Sequence, residues 1–262
     1  MIQMVLVAVA SFVAAAINAV AGGGTFITFP TLTGGLGLNE KVANMTSTIG
    51  LWPGSLSSIY PALSEFKRLP KGMLLLYSVI SLFGGYVGAI LLKTTSVHSF
   101  QLLVPWLLLL ATVIFAFSKP IARWAGRGHG HEHRSLAWTL LVGFIQFAVA
   151  VYGGYFGAGI GVLMLAGLSF VGLDDINQMN ALKVFLATLI NGVASVVFLY
   201  SRAADARVDW KVALIMAVVS IAGGFFGMAA ARKLKQEYLR GVILLVGVIL
   251  TGVYFWKNYA LK

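Results

Sequence analysis

Apolar runs long enough to cross a hydrocarbon core of about 30 Å follow one another from end to end of this 262-residue chain. A segment in lipid must satisfy its own backbone hydrogen bonds, and a helix does so. No polar stretch is long enough to form an independent soluble domain. At 59% hydrophobic and 10% charged residues, the chain stands far from soluble domains, which carry about 25% charge. The expected class is an all-α polytopic membrane protein folded as one membrane domain.

The runs fall into two sets of five: 2–20, 24–37, 41–62, 72–93 and 100–118, then 135–153, 157–172, 177–200, 210–231 and 238–257. Ser81 to Gly88, with three glycines, reappears as Ser220 to Gly227. Gly54 and Ser57 answer to Gly192 and Ser195, Asn44 to Asn180, and Thr112 to Thr251. Repeats of this length are a common construction of secondary transporters. The chain then divides into a first repeat, 1–118, a basic His-rich cytoplasmic linker, 119–134, and a second repeat, 135–262. Eight to ten transmembrane helices are expected. The second segment of each half is short, since fourteen helical residues rise only about 21 Å, and is a half-helix or one limb of a re-entrant pair.

Basic residues set the orientation. Lys67, Arg68 and Lys71 separate the third and fourth runs, Lys119, Arg123, Arg127 and Arg134 lie between the halves, and Arg232, Lys233 and Lys235 precede the last run. Placing all three loops in the cytoplasm turns the halves into inverted repeats. It also leaves 201–209, where Asp205 and Asp209 offset Arg202 and Arg207, on the outer face with the termini. A parallel arrangement would bring that loop inside. The net charge of +11 thus reads as topology and not as a nucleic-acid footprint. Residues 1–20 lack the basic start of a cleaved signal and are read as a retained helix.

Each short segment follows a glycine break, Gly22-Gly23-Gly24-Thr25 in the first half and Gly157, Gly159 and Gly161 in the second. Paired breaks of this kind mark where a polar substrate is held. Half-helices starting there would aim N–H groups and positive dipole ends at an anion, which glycine lets approach closely. The alternative use of such glycines is close helix packing, and that reading is preferred for those near 84–88 and 223–227, which lie inside full-length runs. Polar side chains gather nearby: Asn18, Asn44, Thr46, Ser47, Thr48 and Ser55, then Gln146, Tyr152, Asn177, Asn180, Asn191 and Ser195. Taken singly, each is as well explained by hydrogen bonding between helices. Lys183 differs, because it lies about 9 Å beyond Asn177 inside an apolar run, and an intramembrane cation is a functional candidate by default. Snorkelling to the near interface is its other use.

All eight acidic residues map to loops or segment ends, so no mid-membrane carboxylate serves a proton, sodium or metal relay. The absence of Cys excludes disulfides and thiolate sites. His129, His131 and His133 could collect a metal ion, although a solvated linker is the simpler reading. No enzyme signature is present and nothing calls for a cofactor.

The motifs Asn18 to Pro30, Tyr152 to Gly161, and Asn180 to Lys183 continuing to Ala194 resemble the TauE/SafE family of sulfite exporters over nearly the whole chain. The His-rich linker is not part of that pattern. The resemblance implies transmembrane movement of a small anion, sulfite or an organosulfonate, across the bacterial inner membrane. The expectation is an alternating-access exporter with its site at the two breaks. Its partners are the anion and the bilayer, not nucleic acid, and a homo-oligomer is compatible with the glycine faces. The alternatives are a metal-cation permease with a His-rich collecting loop and a non-transporting scaffold.

Overall fold

The computed structural model describes residues 2–126, 136–171, 173, 175–200, 207–230 and 236–260. His129, His131 and His133 lie outside them, as do Arg127, Arg134, Arg202, Asp205, Arg232, Lys233 and Lys235. The described residues contain helices and no strands. In chain order these are α1 (Ile2–Val20), α2 (Thr25–Pro30, continued by a wide turn over Thr31–Gly35), α3 (Glu40–Ile59), the single turn α4 (Leu63–Phe66), α5 (Lys71–Thr94), α6 (Val97–Gly126), α7 (Leu136–Tyr155), α8 (Ile160–Leu168), α9 (Ile176–Leu199), α10 (Trp210–Ala230) and α11 (Gln236–Phe255).

Among the described residues, seven helices have the length and apolarity to span a membrane: α1, α5, α6, α7, α9, α10 and α11. The sequence count of eight to ten differs because α3 has the length but not the apolarity. Its turns carry Asn44, Thr46, Ser47, Thr48, Ser55 and Ser58, all turned inward or half-buried. Large apolar side chains such as Leu75, Phe83, Leu140, Phe144, Leu214 and Val218 remain exposed, as they must where lipid replaces water.

α2 and α8 are each shorter than a hydrocarbon core of about 30 Å requires. Gln3 Nε2 donates to the Gly35 carbonyl at 3.1 Å, so α1 and the segment after its break return to one end of the bundle. Trp138 Nε1 donates to the Phe170 carbonyl at 3.2 Å, which closes the α7–α8 hairpin the same way. At the first end, Lys257 pairs with Glu40 at 2.9 Å and Lys93 Nζ reaches the Tyr200 carbonyl at 3.4 Å. At the other, Leu69, Val142, Leu168 and Leu182 share one apolar cluster, and Tyr60 stacks on Phe225 at 6.0 Å. The α1–α2 and α7–α8 hairpins therefore open toward opposite ends of the bundle.

The halves interlock through their fourth segments. α5 lies along α7 and α9, while α10 lies along α1 and α3. The glycines permit these approaches: a Cβ on Gly88 would stand 2.1 Å from the Val151 carbonyl oxygen, and one on Gly227 would stand 2.4 Å from the Ala16 Cα. Backbones meet there with no room for a side chain.

Because the chain has no Cys, single cysteines at Lys67 and Arg207 report sidedness directly. An impermeant thiol reagent applied to intact cells should label Arg207→Cys and spare Lys67→Cys. Labelling of both from one side would contradict opposed hairpins.

Candidate functional site

Where α1 ends, the chain must turn inside the bundle. Ala21 and Gly22 both donate to the Ile17 carbonyl, at 2.7 and 3.0 Å, and Gly22 takes φ +82°. The second break repeats this: Phe156 and Gly157 donate to the Tyr152 carbonyl at 2.9 and 3.3 Å, and Gly157 takes φ +75°. Glycine terminates a helix in this way because the left-handed conformation costs it nothing. The two breaks touch. A Cβ on Gly22 would lie 2.3 Å from the Gly161 Cα, so the backbones cross in direct contact.

Each termination leaves carbonyls without helical donors, and buried carbonyls must find others. At the first break Lys183 supplies them, donating from Nζ to the carbonyls of Ala19 at 3.0 Å, Val20 at 3.3 Å and Asn18 at 3.4 Å. Lys183 is 1% exposed, so it does not snorkel. Its ammonium sits on the negative end of α1, where a cation is favoured. At the second break Asn44 Nδ2 donates to the Tyr155 carbonyl at 3.0 Å, and the Tyr152 hydroxyl donates to Ala158 at 2.8 Å. α9 caps the first hairpin and α3 caps the second.

Between α1, α3, α8 and α9 lies a pocket. Of the residues expected at a site, Asn18, Gly22, Thr25, Ser47, Gly157, Gly161, Lys183 and Asn191 line it. The others do not line it. Gly24 donates its N–H to Asn18 Oδ1 at 2.7 Å, so this donor is not offered to a ligand as the sequence suggested. Gly23 faces the Ile243 side chain and Gly159 lies against Ala111 and Phe26. Thr46 Oγ1 accepts from the Asp209 N–H at 3.1 Å, tying the start of α10 to α3, while Asn180 reaches the Met228 sulfur. Asn44 and Tyr152 are the caps described above.

Ser58, Leu51, Val184 and Ala187 also line the pocket and were not singled out by sequence. Their signal was available for Ser58, one turn beyond Ser55 on the same face. Thr48 and Ser55, noted among the gathered polar residues, line it as well. Lys183 is the one charged side chain in this lining, which includes no carboxylate and no imidazole. The side chains of Thr25 and Asn191 make no hydrogen bond to described residues, and Asn18 keeps its amide Nδ2 free after Oδ1 is used. A small polar ligand would meet a cation held at the far wall and uncommitted amide and hydroxyl groups around it.

Residues 7–255 match the family described as Sulfite exporter TauE/SafE. A protein of Haemophilus influenzae named probable membrane transporter protein is 26% identical over 243 residues, covering 92% of this chain and 90% of the relative. No solved structure matches.

The contact between the breaks yields a sharp test. Gly22→Ala places a Cβ into Gly161 from a left-handed backbone and should cost about 1–3 kcal/mol. Gly72→Ala, with open space around it, should not lower stability. Melting temperatures in detergent compare the two, and equal values would remove the crossing from the site.

Proposed function

We propose, from the premise that this chain belongs to the TauE/SafE family and is a multi-pass membrane transporter, that it exports a small sulfur-containing anion, sulfite or an organosulfonate, by alternating access around the central pocket. The observation that carries this reading is Lys183, a buried ammonium at the wall of a pocket whose lining holds no carboxylate. Such a wall attracts an anion and offers a transition-metal cation no carboxylate, imidazole or thiolate.

The uncommitted amides of Asn18 and Asn191 and the Thr25 hydroxyl complete the anion's hydrogen bonds. Lys183 contributes its positive field without direct release from α1, so binding does not require the cap to open. Export from a negative-inside cell runs downhill by about 2.3 kcal/mol per charge per 100 mV, which suits a site with no proton or sodium relay. The halves act as inverted repeats in this reading. Its support is the exchange of partners by α5 and α10 and the opposite openings of the two hairpins. Rocking the hairpins about their crossing would then expose the pocket to each side in turn. The cytoplasmic placement of residues 119–134 follows from the same orientation.

Efflux from proteoliposomes loaded with sulfite, sulfate, thiosulfate or chloride tests the proposal. Wild-type protein should release sulfite under an outward gradient. Asn191→Ala should slow it roughly tenfold, the value of one hydrogen bond to an anion, with the melting temperature retained. Lys183→Ala should lose both flux and stability, since it strands three buried carbonyls at about 1–3 kcal/mol each. Undiminished sulfite flux in both variants would sink the site.

A further inference from the structure

The pocket's charge balance and the direction of its hydroxyl bonds define the ligand more narrowly, an inference that rests on the anion-export reading. Lys183 brings one positive charge, and the end of α1 that it caps carries about half a negative charge. The lining holds no other ionised group, and the second break sets the negative end of α7 beside the positive end of α8, which offset one another, so about half a positive charge remains. A monoanion turns that remainder into about half a negative charge, no larger in magnitude. A dianion would leave more than one full negative charge uncompensated, and an uncompensated buried charge is strongly disfavoured.

The α3 wall adds a second constraint. Thr48 Oγ1 donates to the Asn44 carbonyl at 2.9 Å, Ser55 Oγ to Leu51 at 3.4 Å, and Ser58 Oγ to Ser55 at 2.7 Å. The hydroxyl hydrogens of Thr48 and Ser58 are therefore committed to their own helix and that of Ser55 is turned the same way at longer range, so the oxygens present lone pairs to the pocket. These three oxygens share the pocket with Lys183, Asn18 and Asn191. A ligand lying across this space meets donors on the α1 and α9 side and acceptors along α3.

We propose that the pocket selects a singly charged oxyanion that itself carries a hydrogen-bond donor, such as a protonated oxyanion or a hydroxy- or ammonio-alkanesulfonate. The anionic oxygens face Lys183 and the amides, and the donor faces Thr48, Ser55 and Ser58. Fully deprotonated dianions are excluded by charge, and monoanions without a donor are carried less well because they strand the α3 acceptors.

Three strong-acid anions built on one two-carbon backbone separate the two constraints: 2-hydroxyethanesulfonate, ethanesulfonate and ethane-1,2-disulfonate, each loaded into proteoliposomes of the full chain. The hydroxylated monoanion should leave about tenfold faster than ethanesulfonate. The disulfonate should leave at less than about a hundredth of the faster rate. In the double variant Ser55→Ala, Ser58→Ala, the ratio of hydroxylated to plain monoanion should fall toward one. Disulfonate flux equal to that of the monoanions would overturn the charge rule. Equal flux of the two monoanions, or a ratio unmoved by the double variant, would overturn the donor rule. If none of the three is released and sulfite is not released either, the export reading itself fails. Release of sulfite alone would overturn only the inference drawn here.

Discussion

A chain that reverses inside a hydrocarbon layer exposes backbone carbonyls that water cannot reach, and the centre of this protein is organised around satisfying them. The Lys183 ammonium on the last three carbonyls of α1 is the strongest such contact, because it joins a full charge to a helix end of opposite sign. Asn44 and Tyr152 meet the same need at the end of α7 with neutral groups. The caps come from the third helix of the opposite half in both cases where Lys183 and Asn44 act, so ending a hairpin also fastens one half of the chain to the other.

That fastening explains why glycine recurs at the crossing points. Hairpins opening toward opposite ends can overlap only if their backbones pass in contact, as Gly22 and Gly161 do. The same economy governs Gly88 against α7 and Gly227 against α1, where an added methyl would collide with main chain. With little hydrophobic drive between helices in lipid, such close packing and the interhelical hydrogen bonds supply the cohesion. Trp52 Nε1 on the Thr188 carbonyl and Ser220 on Gly50 are examples at the α3–α9 and α3–α10 contacts.

The structural role of Lys183 and the transport role proposed for it meet in one group. Its ammonium is fully engaged by α1, yet its field reaches a pocket whose lining has no opposing carboxylate. A fixed cation of this kind attracts an anion without gripping it, which suits a carrier that must also release its cargo. Glu40, the most deeply buried acid among the described residues, is held away from this region by Lys257 and Gln101 at the first turn of α3.

Most of the architecture was legible before any coordinates. Hydropathy marked the long helices, the glycine clusters marked the breaks, and the intramembrane lysine stood out because each is a property of residue type and spacing along the chain. About half of the residues expected at a site also share one pocket: Asn18, Gly22, Thr25, Ser47, Gly157, Gly161, Lys183 and Asn191. Sequence could not separate these from Thr46, Asn44 or Asn180, which are as polar and stand on the same helices but point at other chain segments. Nor could it show that Gly24 spends its N–H on Asn18, or that Lys183 spends its donors on α1. Those outcomes depend on which atoms from distant parts of the chain arrive within about 3 Å. Only the folded bundle decides that, because hydrogen bonds are short and directional whereas hydropathy is carried by each segment alone.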